Sequence, residues 1–173
     1  MHKRKYRVAL IGCGCIGAAH MDDIHDKTDI TVECVCDTNE QRARDFYAKY
    51  HACRYETDWK RVVSSESVDI VIIATYPSSH LEIVEECIKH GKHAICEKPI
   101  AADIENCERF VRLVKENPQC KILVGHILRH HKTYQKVAQM IQSGAIGKPI
   151  IMRMAQNHHT MDWQKYLRLI CET

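Results

Sequence analysis

The sequence predicts a doubly wound parallel α/β sheet. Three observations carry that prediction: an apolar strand that runs into a G-x-G-x-x-G turn, a second strand that closes on an aspartate, and strand–helix alternation along most of the 173 residues. The first strand is read over Tyr6-Arg7-Val8-Ala9-Leu10-Ile11 and passes straight into Gly12-Cys13-Gly14-Cys15-Ile16-Gly17. In that spacing Gly12 turns the backbone off the strand, Gly14 removes the side chain where a pyrophosphate must approach, and Gly17 lets the next helix pack close. The N-terminus of that helix then offers unpaired N–H groups and a positive dipole end to an anion. The following amphipathic run holds Ile16, Ala19 and Ile24. Ile30-Thr31-Val32-Glu33-Cys34-Val35-Cys36 is the second strand, and Asp37 follows it, twenty residues after Gly17. A carboxylate at that distance accepts from the ribose hydroxyls of an adenosine.

Further along, Thr38-Asn39 opens a helix that runs to Tyr50, Cys53-Arg54-Tyr55 is a short strand, and Asp58 caps a short helical segment. Val68 to Thr75 is a nearly continuous apolar run, the pattern of a parallel strand covered on both faces. A helix is expected from Ser79 or His80 to His90, stopped by Gly91, then a strand over His93-Ala94-Ile95-Cys96 with Glu97-Lys98-Pro99 at its carboxyl end. Asp103 caps a helix that Pro118 ends, Lys121 to Gly125 forms a strand, and a last helix spans roughly 131 to 143 before Gly144. Right-handed crossovers place the ligand crevice at the carboxyl ends of these strands.

Composition narrows the function. The net charge of +3 is small and the Lys and Arg residues are dispersed, which argues against nucleic acid; Lys3, Arg4 and Lys5 read as a solvated tail. No segment is long and apolar enough for a membrane span, and no signal-type stretch follows Met1. A cytoplasmic protein is expected. The ten cysteines fall mostly within strands and helices, where a free thiol packs as a small hydrophobe in a reducing compartment. Cys13-x-Cys15 lacks the spacing of a zinc pair, and the adjacent histidines His130-His131 and His158-His159, with Trp163 nearby, cannot easily face one ion, so no metal is expected. Lys98 is the informative charge: beside a nicotinamide, an ammonium can hydrogen-bond a substrate hydroxyl and shift its proton.

These motifs together resemble the N-terminal part of the glucose–fructose oxidoreductase/inositol dehydrogenase (Gfo/Idh/MocA) family. The matching pieces are Gly12 to Gly17, Asp37, Ala74-Thr75-Tyr76-Pro77 with His80, Glu97-Lys98-Pro99, Gly125-His126 through Arg129, and Ser143 to Pro149. Tyr76 stands between the threonine and proline that are usually adjacent in the family. The resemblance implies a Rossmann domain over 1–125, a linking helix region over 126–148, and the beginning of an incomplete C-terminal α/β domain over 149–173, with 150–155 as its opening strand. It implies that Lys98 is the substrate-facing catalytic residue, that Glu97 and Pro99 shape the nicotinamide pocket with a cis peptide before Pro99, and that Arg129 lies near the cofactor. Cofactor-binding positions on this reading are Gly12, Cys13, Gly14, Cys15, Ile16, Gly17, Asp37, Thr75, Tyr76, Pro77, His80, Glu97, Lys98 and Arg129.

NAD is expected over NADP, because the Asp37 carboxylate repels a 2′-phosphate; Arg42 is the counterargument. The expected activity is hydride transfer between nicotinamide and a sugar or cyclic polyol hydroxyl. The Asp-x-x-x-His element expected to supply the acid/base histidine is not present in the 173 residues, so the chain reads as a fragment. The alternative is a non-catalytic nucleotide-binding regulator or sensor. The apolar run after Lys148 predicts a homo-oligomer.

Overall fold

A computed structural model describes residues 5–155. The expectations for Lys3 and Arg4, for His158-His159 and Trp163, and for the C-terminal domain beyond 155 fall outside the described residues. The chain divides into two compact units, Met1–Ile127 and Leu128–Thr173.

The first unit holds a six-stranded sheet of β1 (Tyr6–Ile11), β2 (Ile30–Cys36), β3 (Arg54–Glu56), β4 (Ile70–Ile73), β5 (His93–Cys96) and β6 (Ile122–Val124). Their order is β3-β2-β1-β4-β5-β6 and every neighbouring pair is parallel. This is the doubly wound arrangement expected from the sequence, and the order reverses between β1 and β4. The helices α1 (Cys15–Ile24), α2 (Glu40–Tyr50), α3 (Trp59–Val63), α4 (Pro77–Lys89) and α5 (Ile104–Glu116) connect the strands. Because strand side chains alternate in direction, the sheet buries two cores. Ala9, Ile11, Cys34, Cys36, Val71 and Ile73 pack toward α3, α4 and α5 on one face. Val8, Leu10, Val32, Val35 and Ile72 pack with Met21 and Tyr50 on the other. Between Val8 and Ala9 the β1–β2 register slips by one residue, and this places Glu33 outside the paired ladder.

Element boundaries follow local chemistry. Asn39, Asp58 and Asp103 each accept a backbone N–H at the start of α2, α3 and α5. β4 is shorter than its apolar run, and α4 begins earlier than Ser79, at Pro77. A proline there is favoured because its missing N–H would have no helical partner. In the second unit, α6 (Lys132–Gln142) ends before Gly144, whose φ of +72° suits glycine. The strand expected over 150–155 does not form among the described residues: 151–155 carry no regular structure, and Ile150 is 92% exposed. A strand exists through hydrogen bonds to a neighbour, which an apolar pattern does not itself supply.

The turn after β1 is held by backbone packing. Gly12 sits at φ +102°, and a Cβ built on it would lie 2.5 Å from the Ala74 carbonyl oxygen. A Cβ on Gly17 would lie 2.1 Å from the Gly12 carbonyl oxygen, whereas one on Gly14 meets nothing within 4 Å. Gly12 and Gly17 therefore serve the fold, and Gly14 leaves open space. Gly17→Ala is expected to cost about 3 kcal/mol or more in urea unfolding, and Gly14→Ala under about 1 kcal/mol.

The buried thiols set an alkaline limit. Burial pushes the thiols of Cys13, Cys34, Cys87 and Cys96 up from 9.0 to about 12, and Cys36 higher still. The unfolded chain releases these protons at a pH where the folded chain still holds them. The stabilising contribution is thus complete below about pH 9 and is lost as pH rises toward 12. Each thiol is expected to withdraw about 1 kcal/mol by pH 10, read as a falling urea midpoint between pH 8 and pH 10. In native labelling, exposed Cys15 and Cys53 react first.

Candidate functional site

Five strands end on one row. Cys36 pairs with Ile11, Ile11 with Ile73, Ile73 with Cys96, and Cys96 with Val124. The next residues continue the row as Asp37, Gly12, Ala74, Glu97 and Gly125. The Gly12 N–H donates to Cys36 O (2.8 Å), Ala74 to Ile11 O (2.8 Å), Glu97 to Ile73 O (3.0 Å) and Gly125 to Cys96 O (2.9 Å). Strands stand roughly 5 Å apart, so these residues form a ruled edge across the top of the sheet. Every strand-end motif singled out in the first unit's sequence lies on this edge or in the loop just past it.

The helices flanking the switch point differ from the rest. α1 follows β1 and α4 follows β4, and neither N-cap, Gly14 or Tyr76, provides a side-chain hydrogen bond. The other four α-helices among the described residues are capped by Asn39, Asp58, Asp103 and His131. First-turn N–H groups without a side-chain acceptor make these two helix starts the natural anion subsites. Cys15 and Ile16 are exposed at the first of them, and Tyr76 is 62% exposed at the second.

Cys13 turns the other way. Its side chain is buried, its thiol donates to Cys36 O, and its N–H donates to Asp37 Oδ2 at 2.9 Å. It thus fixes the loop and its thiol does not face the crevice. Asp37 also accepts from Asn39 N–H through Oδ1 at 2.8 Å, so both carboxylate oxygens are oriented by backbone and keep acceptor capacity. Thr75 Oγ1 and Ser79 Oγ share a hydrogen bond of 2.7 Å across the turn into α4, and Pro77 begins that helix.

His80 was expected at the cofactor, and the structure places it behind the loop. It is fully buried on α4, its Nδ1 lies 2.8 Å from Pro99 O and its Nε2 3.0 Å from Thr75 O. Both ring nitrogens being engaged, the ring ties the β4–α4 loop to the β5 loop. A neutral ring donates to one of these carbonyls and a protonated ring to both.

The Lys98–Pro99 peptide is cis. Lys98 is exposed past the end of β5, and its N–H donates to Glu97 Oε2 at 3.2 Å. Glu97 Oε1 accepts from His20 Nε2 at 3.0 Å. Its carboxylate lies over Gly125, where an added Cβ would stand 2.6 Å from Oε1. His20 belongs to none of the motifs, yet its placement has a sequence signal: it lies one turn after Gly17 and shares that residue's face of α1. Arg129 belongs to the second unit. It is exposed in the one-turn 3₁₀ segment Ile127–His130, and its carbonyl accepts from Gln135 Nε2 at 3.3 Å. Among the described residues no group of three His, Cys, Asp or Glu side chains is arranged to hold a metal ion, and no helix is long and apolar enough to cross a membrane.

This geometry has counterparts. The chain is 29% identical over 159 residues to inositol 2-dehydrogenase 4 of Saccharopolyspora erythraea, covering 91% of this chain and 47% of that one. It is 25% identical to myo-inositol 2-dehydrogenase of Thermotoga maritima, covering 94% and 48%. The fold matches the solved myo-inositol 2-dehydrogenase of Lactobacillus plantarum with a TM-score of 0.90 at 20% identity, covering 98% of this chain and 50% of that one. A scyllo-inositol dehydrogenase of Lactobacillus casei, solved with NAD(H) and scyllo-inositol bound, aligns with a TM-score of 0.78 at 23% identity, covering 83% and 43%. The chain spans about half the length of the curated relatives it matches. Residues 6–126 match the family model described as "Oxidoreductase family, NAD-binding Rossmann fold". With the strand order, the Gly12–Gly17 turn and the strand-end edge all in agreement with that description, the chain belongs to the Gfo/Idh/MocA oxidoreductase family and carries its NAD-binding Rossmann fold.

Proposed function

We propose that this chain binds NAD along the strand-end edge, as the cofactor half of an enzyme that moves hydride between nicotinamide and a hydroxyl of a cyclic polyol. The observation that carries the reading is the pair of helix starts without side-chain caps at the β1/β4 switch point, with Asp37 past β2 on one side of it and Lys98 past β5 on the other. The α1 start and Gly14 hold the pyrophosphate. Cys13 contributes by orienting Asp37, and Asp37 takes the adenosine ribose hydroxyls. Cys15, Ile16, Gly17, Thr75, Tyr76 and Pro77 border the dinucleotide, and Glu97 and Lys98 face its nicotinamide end. Bound NAD supplies the hydride acceptor. The printed names of the relatives, inositol dehydrogenases, support a cyclic polyol as the substrate class.

Lys98 is the residue that touches substrate on this reading. Its ammonium hydrogen-bonds the reacting oxygen and stabilises the negative charge that develops there as the carbinol carbon loses hydride to the nicotinamide, while the hydroxyl proton passes to the acid/base histidine that the family resemblance implies. We assign 1–125 to the cofactor domain, 126–148 to a linking region, and 149–173 to the start of a further domain. The nine described cysteines are all free, which supports a reducing, cytoplasmic location.

Titration by NADH fluorescence and by competition tests the reading. NAD is expected to bind at least tenfold tighter than NADP, Asp37→Ala to erase that preference, and Gly14→Ala to weaken NAD about tenfold while unfolding like wild type. Tighter NADP binding overturns the assignment of Asp37. With myo-inositol as hydride donor in a protein carrying this chain, Lys98→Ala is expected to slow NADH formation by about 10²–10⁴. NAD binding with no transfer from any polyol favours a regulator instead.

We also propose self-association through the apolar run after Lys148. Ile150, Ile151, Met152 and Met154 are each at least 60% exposed, and burying each such side chain is worth roughly 1.5–3 kcal/mol. Light scattering is expected to give a dimer for the full chain and a monomer for a version ending at Lys148. Two monomers at equal concentration rule the idea out.

A further inference from the structure

The Glu97 carboxylate is placed by residues from three parts of the chain, two of them distant in sequence. From α1, the His20 ring donates through Nε2 to Oε1 at 3.0 Å, with the two side chains 25% and 13% exposed. From the residue just past β6, Gly125 leaves the space in which the carboxylate lies, since a Cβ there would stand 2.6 Å from Oε1, 2.9 Å from Cδ and 3.0 Å from Oε2. From its own loop, the Lys98 N–H donates to Oε2 at 3.2 Å. The carboxylate therefore lies flat along the strand-end edge, with one oxygen turned to α1 and the other to the backbone that carries Lys98.

The hydrophobic cores do not include this pair, and a partly buried ion pair is weak evidence for stability in itself. What the arrangement does is orient. Lys98 has a long flexible side chain, and the one constraint on where it starts is its backbone, fixed by Glu97 in front and by the Pro99 carbonyl on His80 behind. A group that must meet a substrate hydroxyl gains from such support, because a small misplacement at the reacting atoms costs rate steeply.

We propose that His20 is a positioning residue which, acting through Glu97, sets the backbone of Lys98 and the nicotinamide end of the crevice. The inference rests on the NAD reading above and adds to it a residue that does not itself touch the reacting atoms. It separates two ligands that differ in one part: NAD, and ADP-ribose, which lacks the nicotinamide ring. His20→Ala is expected to weaken NAD about tenfold while changing ADP-ribose less than twofold, and His20→Gln, whose amide N–H can still donate to Glu97, to restore most of the NAD affinity. Gly125→Ala, which displaces the same carboxylate from the opposite side, is expected to reproduce the NAD-selective loss, and it serves if His20→Ala folds poorly. In the ligand-free chain the Lys98 amide ¹⁵N resonance is expected to move in His20→Ala and return in His20→Gln. Equal losses for NAD and ADP-ribose, or an unmoved Lys98 amide, overturn the inference. A wild-type chain that binds neither ligand overturns the NAD reading, and the Lys98 amide then still decides whether His20 acts on that backbone.

Discussion

The site depends on a shared register. Because Cys36, Ile11, Ile73, Cys96 and Val124 pair across the sheet as the last residues of their strands, the five residues that follow are spaced by strand pairing alone. No side-chain interaction is needed to bring Asp37 level with Gly12 or Glu97 level with Gly125; the backbone ladder does it. The same register brings the β1 turn against the Ala74 carbonyl, which is why Gly12 cannot carry a side chain. Gly17 then closes α1 onto Gly12, and that contact aims the helix start across the edge. A change at any of these backbone contacts displaces several loops together.

The two poles of the sheet treat polar groups differently. At the amino pole, Asp69 takes Arg7 in a two-pronged ion pair and also accepts the Arg7 N–H, while the nearly buried Lys92 ammonium donates to the Ser65 and Val68 carbonyls at 2.8 Å each. Those charged groups are engaged by partners within the chain. At the carboxyl pole, side chains serve backbone: Asp37 orients two N–H groups, His80 bridges two carbonyls, and Glu97 supports Lys98. The helix starts beside them are left without caps, and among the described residues no buried side-chain polar atom lacks a partner. Polar capacity directed outward is thus concentrated at one pole, the pole proposed to take the dinucleotide, and groups already in place leave little ordering to be done on binding there.

Cysteine chemistry follows the same division. The thiols inside the sheet and its helices are pushed up by burial and behave as hydrophobes, while Cys15 stands exposed at the start of α1. Cys13 and Cys15, two residues apart, look alike in sequence; one is buried with its thiol on Cys36 O, and the other is exposed as the first residue of α1.

The sequence by itself determined the parts whose cause is local. The Gly12–Gly17 spacing, the aspartate after β2, the caps at Asn39, Asp58 and Asp103, and the apolar runs of β1 and β4 each encode their own geometry within a few residues, and strand–helix alternation marks a doubly wound parallel sheet, whereas the order of its strands is a tertiary outcome. Tertiary structure decided whatever depends on partners far along the chain. It paired His20 with Glu97, 77 positions apart, and buried His80 between the Thr75 and Pro99 carbonyls. It also left 150–155 without a strand, although the apolar pattern there suits one. In each case the deciding quantity is whether a hydrogen-bonding group finds its partner across space, and a linear pattern of side chains carries no record of that distance.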